Sequence, residues 1–222
     1  MEKKYISNED ITPRMFENNF MEALSRVHPS VPVIMYLPFI LYLLFYSYRN
    51  PAVKYESIIL LFLLGLFVWT FTEYMLHRFI FHFEPDNRIG RKMHYIFHGV
   101  HHAYPKDSRR LVMPPSVSIP LALLFYWMFY YILGPRFVYP FFSGFLAGYL
   151  FYDMTHYAIH HFGIKNGLFL LIKKHHMRHH YMDAAKGFGV SQNLWDIVCR
   201  TNFEAEKSGG LQSSSAHAGK GR

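Results

Sequence analysis

The chain has 222 residues, 51% hydrophobic and 19% aromatic, with a mean hydropathy of +0.04 and a formal net charge of +8. Its single cysteine, Cys199, excludes an intramolecular disulfide and any cysteine-based zinc motif. The near-zero hydropathy averages long apolar runs with basic, His-rich segments, which is a membrane-protein distribution; the positive charge suits an anionic lipid surface, and no nucleic-acid motif accompanies it.

Residues 1–30 are polar to amphipathic. Phe16, Phe20, Met21 and Leu24 recur at near-helical spacing, which fits an interfacial helix and a core-packed helix equally. No short apolar core followed by a small-residue cleavage site marks a secretory signal. Residues 31–48 carry no charge. At about 1.5 Å per residue they approach the ~30 Å hydrocarbon core, with Pro38 as a kink and Arg49-Asn50-Pro51 as a stop. A second span runs from Ser57 to Leu76, and Gly65 allows it a close neighbour. Residues 116–133 form a third span, stopped by Gly134-Pro135. Residues 138–155 form a fourth, whose Gly144 and Gly148 suit tight packing on another span. From Glu204 the chain turns Gly/Ser-rich and loses apolar residues, so 204–222 reads as a disordered tail behind a membrane domain of residues 1–203.

The segments 77–115 and 161–202 are far more basic than the 49–56 and 134–137 loops. The positive-inside rule places both basic segments, and both termini, on the cytosolic side. The expected architecture is therefore all-α and integral to the membrane: four transmembrane helices under a cytosolic, His-rich helical cap.

That cap carries the chemistry. His98, His101 and His102 stand at i, i+3 and i+4, and His176, His179 and His180 repeat the spacing. On a helix such residues share a face and can grip one side of a metal site. His156 and His160 share a face at i, i+4. His77 and His82, at i, i+5, fall about 140° apart on an ideal helix, so one lies past the helix end or the backbone distorts. These groups hold ten of the 15 histidines. A tetrahedral zinc needs four ligands, so ten suit two metals of higher coordination number. All four groups fall at span ends on one membrane face, an argument independent of their chemistry. Carboxylates hydrogen-bonded to the far side of metal-bound imidazoles can orient the rings and offset metal charge. Glu73, one turn before His77, and Asp153, three residues before His156, are placed for this; Asp196 serves equally as a cap or ion-pair residue. His28, His94, His161 and His175 break the periods and read as structural, although His94 is near enough for a supporting role. Phe125, Trp127, Met128, Phe145 and Tyr149 are available to line an apolar tunnel, with ordinary packing as the simpler role for each.

The order HRFIFH (77–82), HGVHH (98–102), RLVMPP (110–115), YDMTHYAIHH (152–161), HMRHH (176–180) and KGFG…LWD (186–196) resembles the fatty acid 2-hydroxylases of the membrane fatty acid hydroxylase/sterol desaturase superfamily. The likeness runs from about residue 19 to 202. It implies that the ten paired histidines ligate two metal ions and that Tyr152 and Asp153 stand beside the site. It further implies an oxygen-dependent di-iron monooxygenase acting at C2 of long acyl chains, as free fatty acid or ceramide, with electrons from cytochrome b5 and its reductase. Imidazole prefers zinc to ferrous iron, so zinc is an expected alternative occupant. Some members carry an N-terminal cytochrome b5 domain; about 30 residues precede the first span here, so the electron donor is expected to be a separate protein. An endoplasmic reticulum address, for a eukaryotic source, rests on the family alone. Rival expectations are a sterol oxidase, carotenoid hydroxylase or desaturase of the same superfamily, or a structural metal site in a membrane scaffold. A metal transporter is disfavoured, because transporters place their ligands near the membrane midplane.

Overall fold

The structure is a computed structural model and describes residues 6–204; the expected tail, beyond Glu204, lies outside the described residues. Among the described residues there is no strand. The elements in order are α1 (Asn19–Leu24), α2 (Ser30–Arg49), α3 (Tyr55–Leu76), α4 (Arg88–His94), α5 (Val100–Ala103), α6 (Pro115–His161), α7 (Gly167–Tyr181) and α8 (Leu194–Val198). Two π-helical turns interrupt this series, His77–Phe81 after α3 and Tyr95–Gly99 between α4 and α5.

Among the described residues, three helices are long and apolar enough to cross a membrane: Ser30–Arg49, Tyr55–Phe81 and Pro115–His161. The sequence suggests four, and the third helix explains the difference. It runs for 47 residues, but Gly134 inside it has φ 70° and ψ 172°, outside helical space. Only glycine adopts that backbone readily, and the following Pro135 has no N–H to continue the ladder. The break falls at the expected Gly-Pro stop. The two halves fold back on each other, since the Phe129 and Phe141 rings lie 4.7 Å apart and those of Phe125 and Phe145 5.0 Å apart. Twenty residues of straight helix would separate the latter pair by about 30 Å. Helix α6 is thus a helical hairpin.

The second half of α6 packs chiefly on α3. Glycines make that seam close: a Cβ at Gly144 would sit 1.9 Å from the Phe62 carbonyl oxygen, and one at Gly65 2.0 Å from that of Phe141. Gly148 accommodates the Trp69 ring in the same way. The Gly144/Gly148 pair therefore faces another helix, as its spacing suggests. Trp69, Phe145 and Tyr149 form an edge-to-face aromatic cluster at the centre of the core. Outward, Leu60, Leu63, Leu124 and Ile132 are exposed, a surface suited to lipid and not to water.

Candidate metal centre

The ten paired histidines converge at one end of the helices. Their imidazole nitrogens form two groups, His77, His82, His98, His102 and His179 in the first and His101, His156, His160, His176 and His180 in the second. Within each group the ligand atoms all lie within 4.8 Å of one another. The groups adjoin, with the His102 and His180 rings stacked at 4.3 Å.

Helix phase explains the partition and corrects one expectation. Each i, i+3, i+4 triplet is divided between the groups and does not grip one site. His98 and His102 enter the first group while His101 enters the second; His176 and His180 enter the second while His179 enters the first. Residues at i and i+4 stack within about 40°, whereas i+3 and i+4 diverge by about 100°. The i, i+5 pair is resolved by backbone distortion. Residues 77–81 form a π turn in which His82 N donates to the His77 carbonyl at 3.1 Å. An i→i+5 ladder brings the two rings to one face, and their Nε2 atoms are 3.2 Å apart.

The donor set fits metal ions. In the first group Nε2 of His77 lies 3.0 Å from that of His98, and Nε2 of His179 lies 3.0 Å from that of His82. In the second, His176 Nε2 is 3.0 Å from Nε2 of His156, His160 and His180 alike. One ring N–H cannot serve three acceptors at once. Two nitrogens each ~2.1 Å from one cation and at a right angle would stand ~3.0 Å apart, the spacing observed. Two tautomers point the same way. His77 Nδ1 donates to the Phe188 carbonyl (2.5 Å) and His179 Nδ1 to the Lys186 carbonyl (2.7 Å), which leaves each neutral ring an Nε2 lone pair aimed into the group. Burial holds His98, His101, His176 and His180 well below the ordinary imidazole value and His179 at about 4, so these rings are neutral at pH 7, as a metal ligand must be.

The carboxylates act at one remove from the rings. Neither Glu73 nor Asp153 hydrogen-bonds an imidazole directly. Glu73 is buried and accepts from Val190 N (2.7 Å), Ser191 N (2.8 Å) and Ser191 Oγ (2.5 Å). Asp153 accepts from Met113 N (3.2 Å) and Tyr149 Oη (3.3 Å). The reason is direction: both project from their helices toward neighbouring loops. Tyr152 does stand beside the site, its ring 5.9 Å from that of His156.

Asp196 is the carboxylate closest to ligand control. It binds Phe188 N (2.9 Å), Gly189 N (2.8 Å) and Thr201 Oγ1 (2.7 Å) and lies 3.0 Å from His175 Nε2. Burial alone would raise its carboxyl, but the contacts with His175, Gly189, Thr201 and Phe188 outweigh burial and hold it below the ordinary carboxylate value. Together Asp196 and Glu73 pin the strap 186–191, whose carbonyls hold His77 and His179. Gly187, at φ 70°, supplies the strap's turn. The signals for this were the glycines of KGFG and the aspartate of LWD; the carbonyl acceptors themselves leave no mark in a sequence.

The unpaired histidines fall outside both groups. His175 meets Asp196, His28 Nδ1 lies 2.7 Å from Ser30 Oγ, and His161 stacks on Tyr157 at 4.3 Å. The centroid of the His94 ring lies 6.4 Å from that of His82.

A cavity of about 400 Å³ reaches His98, His101 and His156. Its walls are largely apolar, including Phe81, Ile96, Val112 and Met113, and also take in the buried Tyr152 and Asp153. None of the five tunnel residues suggested by the sequence lines this cavity. Phe125, Phe145 and Tyr149 line a separate, much smaller apolar pocket that shares Met113 with it. Trp127 and Met128 are exposed. The N-terminal segment forms one wall. Glu22, buried at its centre, pairs with Arg110 (2.5 Å) and with Arg26, and accepts from Met15 N and Phe16 N.

An all-helical protein with apolar, membrane-length helices and two adjoining five-histidine groups beside an apolar cavity defines a membrane protein whose histidines could hold metal ions at the wall of that cavity. The chain belongs to the fatty acid hydroxylase family, whose model matches residues 62–201. It is 38% identical to the dihydroceramide fatty acyl 2-hydroxylase of Arabidopsis thaliana over 85% of this chain and 79% of that protein. It is 37% identical to the fatty acid 2-hydroxylase of Mus musculus over 87% of this chain and 57% of the mouse protein. Among solved structures, the hydroxylase domain of full-length scs7p superposes with a TM-score of 0.78 at 37% identity, covering 84% of this chain and 70% of that one.

Proposed function

We propose that this chain is a membrane fatty acyl 2-hydroxylase, an oxygen-dependent monooxygenase acting on long-chain fatty acid or ceramide. The observation that carries this reading is the meeting of the two histidine groups with the apolar cavity at His98, His101 and His156. His77, His82, His98, His102 and His179 would hold one metal and His101, His156, His160, His176 and His180 the other, with iron as the working metal and zinc as a competing occupant. Bound there, an iron pair supplies oxygen activation and the removal of hydrogen from C2, a bond beyond the reach of side-chain acids and bases.

The chain's own residues do the rest. The cavity walls exclude water and hold the acyl chain with C2 against the histidines. Tyr152 and Asp153 border the head group. Glu73 and Asp196 position metal ligands through the strap. Electrons come from cytochrome b5 and its reductase. Each half of α6 crosses the bilayer, giving four spans, with the histidine cap and both termini in the cytosol; in a eukaryotic cell the membrane is that of the endoplasmic reticulum. Residues 1–203 act as one domain.

The test is lipid analysis of cells expressing the chain with cytochrome b5 and its reductase under labelled oxygen. Labelled 2-hydroxy acyl chains are expected, and the His101→Ala variant should yield none. Oxidation at another carbon, or a new double bond, would replace the assignment with another reaction of the superfamily. Iron-loaded protein with verified electron supply and no oxidised lipid would reduce the histidines to a structural metal site.

A further inference from the structure

The cavity mouth has an unusual rim. Met21, Leu24, Met93 and Phe97 all line the cavity, yet they are 47%, 41%, 43% and 45% exposed. The mouth therefore opens between α1 on one side and α4 with its following π turn on the other. Outside the mouth the same two elements present Phe20 (70% exposed) and Ile89 (77% exposed). Ile89, Met93 and Phe97 recur at i, i+4 and i+8, a continuous apolar stripe. Arg91 stands on the opposite side of α4, with Arg88 and Lys92 together along one flank of the stripe, and all three are exposed. An apolar stripe bordered by cations is the pattern of a helix lying in a bilayer interface, its basic side chains reaching the head groups.

The depth of the rim follows from its tethers. Ser116 Oγ, in the first turn of the membrane-length α6, donates to the Leu24 carbonyl at 3.2 Å, and α2 begins at Ser30. Helix α1 is thus fixed at the level where two apolar helices begin. On the other side, Phe79, Ile80 and Phe83, at and just past the end of the apolar Tyr55–Phe81 helix, are also exposed and continue the apolar surface toward α4.

We infer that the rim of this cavity is embedded in the lipid leaflet and forms a lateral portal, through which an acyl chain passes from the bilayer to the histidine groups without crossing water. The acyl occupant rests on the hydroxylase reading; the lipid contact of the rim does not. Membrane delivery also assigns a role to the α1 segment beyond packing: it is one jamb of the portal, held by the Glu22–Arg110 pair.

Two measurements test this. In a Cys199→Ser background, nitroxide labels at Phe20→Cys, Ile89→Cys and Phe97→Cys, with Lys92→Cys as reference, are read in nanodiscs of phosphatidylcholine and phosphatidylserine. The three rim labels should relax strongly with oxygen and weakly with chromium oxalate, and Lys92→Cys the reverse. Rim labels as open to chromium oxalate as the reference would overturn the portal. Second, Met21→Lys and Phe97→Lys place charge at the mouth. Hydroxylation of bilayer-borne fatty acid should fall on the order of tenfold, with metal content unchanged. Unchanged turnover in both variants would overturn lateral entry. If the wild-type chain holds metal but makes no 2-hydroxy product, the hydroxylase reading fails, and the label depths still decide whether the rim is in lipid.

Discussion

Replacing Asp196 with Asn tests the strap as a ligand-holding device. The Asp196 side chain is fully buried and meets four groups: Phe188 N and Thr201 Oγ1 at Oδ1, Gly189 N and His175 Nε2 at Oδ2. Asn keeps the shape and one acceptor but turns the other oxygen into a donor facing donors. The contacts at one oxygen fail, and a charge-assisted bond contributes about 1.5–3 kcal/mol, so the fold should lose about 2–4 kcal/mol, part being recovered if His175 changes tautomer. The effect on metal is more specific. Freed of Asp196, the Phe188 and Lys186 carbonyls no longer fix the rings of His77 and His179, and loss of such outer contacts typically costs about 10–100-fold in metal affinity. Chelator-competition titration of purified protein, read alongside thermal denaturation, separates the two effects. One of two metals should weaken by that factor while the other is held as before. Wild-type affinity for both metals, at wild-type stability, would refute the reasoning.

Three further outcomes follow from the geometry. Gly144→Ala drives a methyl into the Phe62 backbone and should destabilise by about 1–3 kcal/mol in a detergent melt, whereas Gly163→Ala, with open space at its Cβ, should cost far less. Arg110→Met leaves the buried Glu22 carboxylate with Arg26 as its remaining cation; it should cost about 3 kcal/mol and expose residues 13–26 to limited proteolysis, and adding Glu22→Gln should restore part of the loss. Acid should act through the imidazoles. In the fold, burial keeps His98, His101, His176 and His180 well below the ordinary value and His179 at about 4, while the unfolded chain protonates near 6.5. Their contribution is complete above about pH 6.5 and is lost as pH falls toward the folded values, so melting temperature and retained metal should both decline from about pH 6.5 toward about pH 4.

The sequence was most legible where chemistry is local. The Gly134-Pro135 break, the Gly144/Gly148 seam and the histidine clusters each depend on spacings of a few residues. The division of ten histidines into two groups of five was not legible, because it needs the phase of each helix and two π turns that no residue type announces. The route by which the carboxylates act was not legible for a related reason. Proximity in sequence placed Glu73 and Asp153 beside the ligands, but Glu73 reaches the rings only through the strap, and Asp153 bonds Met113 N and Tyr149 Oη. Asp196 controls rings more than 15 residues away through backbone carbonyls. The cavity was missed because its wall is closed by Glu22 and Arg110, 88 residues apart.

The two groups are held by different physics. In the second, His156 and His160 project from α6 and His176 and His180 from α7, each pair one helical turn apart on continuous helix. Their positions are fixed by helix packing, and the Nδ1 atoms of His176 and His180 have no hydrogen-bond partner in the protein. In the first, His77 and His82 depend on a π turn, a form with poorer intrinsic stability than the α-helix. That turn is compensated by the strap, which holds His77 through the Phe188 carbonyl and reaches His179 through that of Lys186. Distortion is what brings an i, i+5 pair to one point, and the strap is what keeps the distortion in place. A straight helix there would turn His82 away and leave the first group short of a ligand. The π turn, the glycines of the strap and the Asp196 carboxylate are therefore one device, spread over residues 77–196 and invisible to any reading that takes them singly.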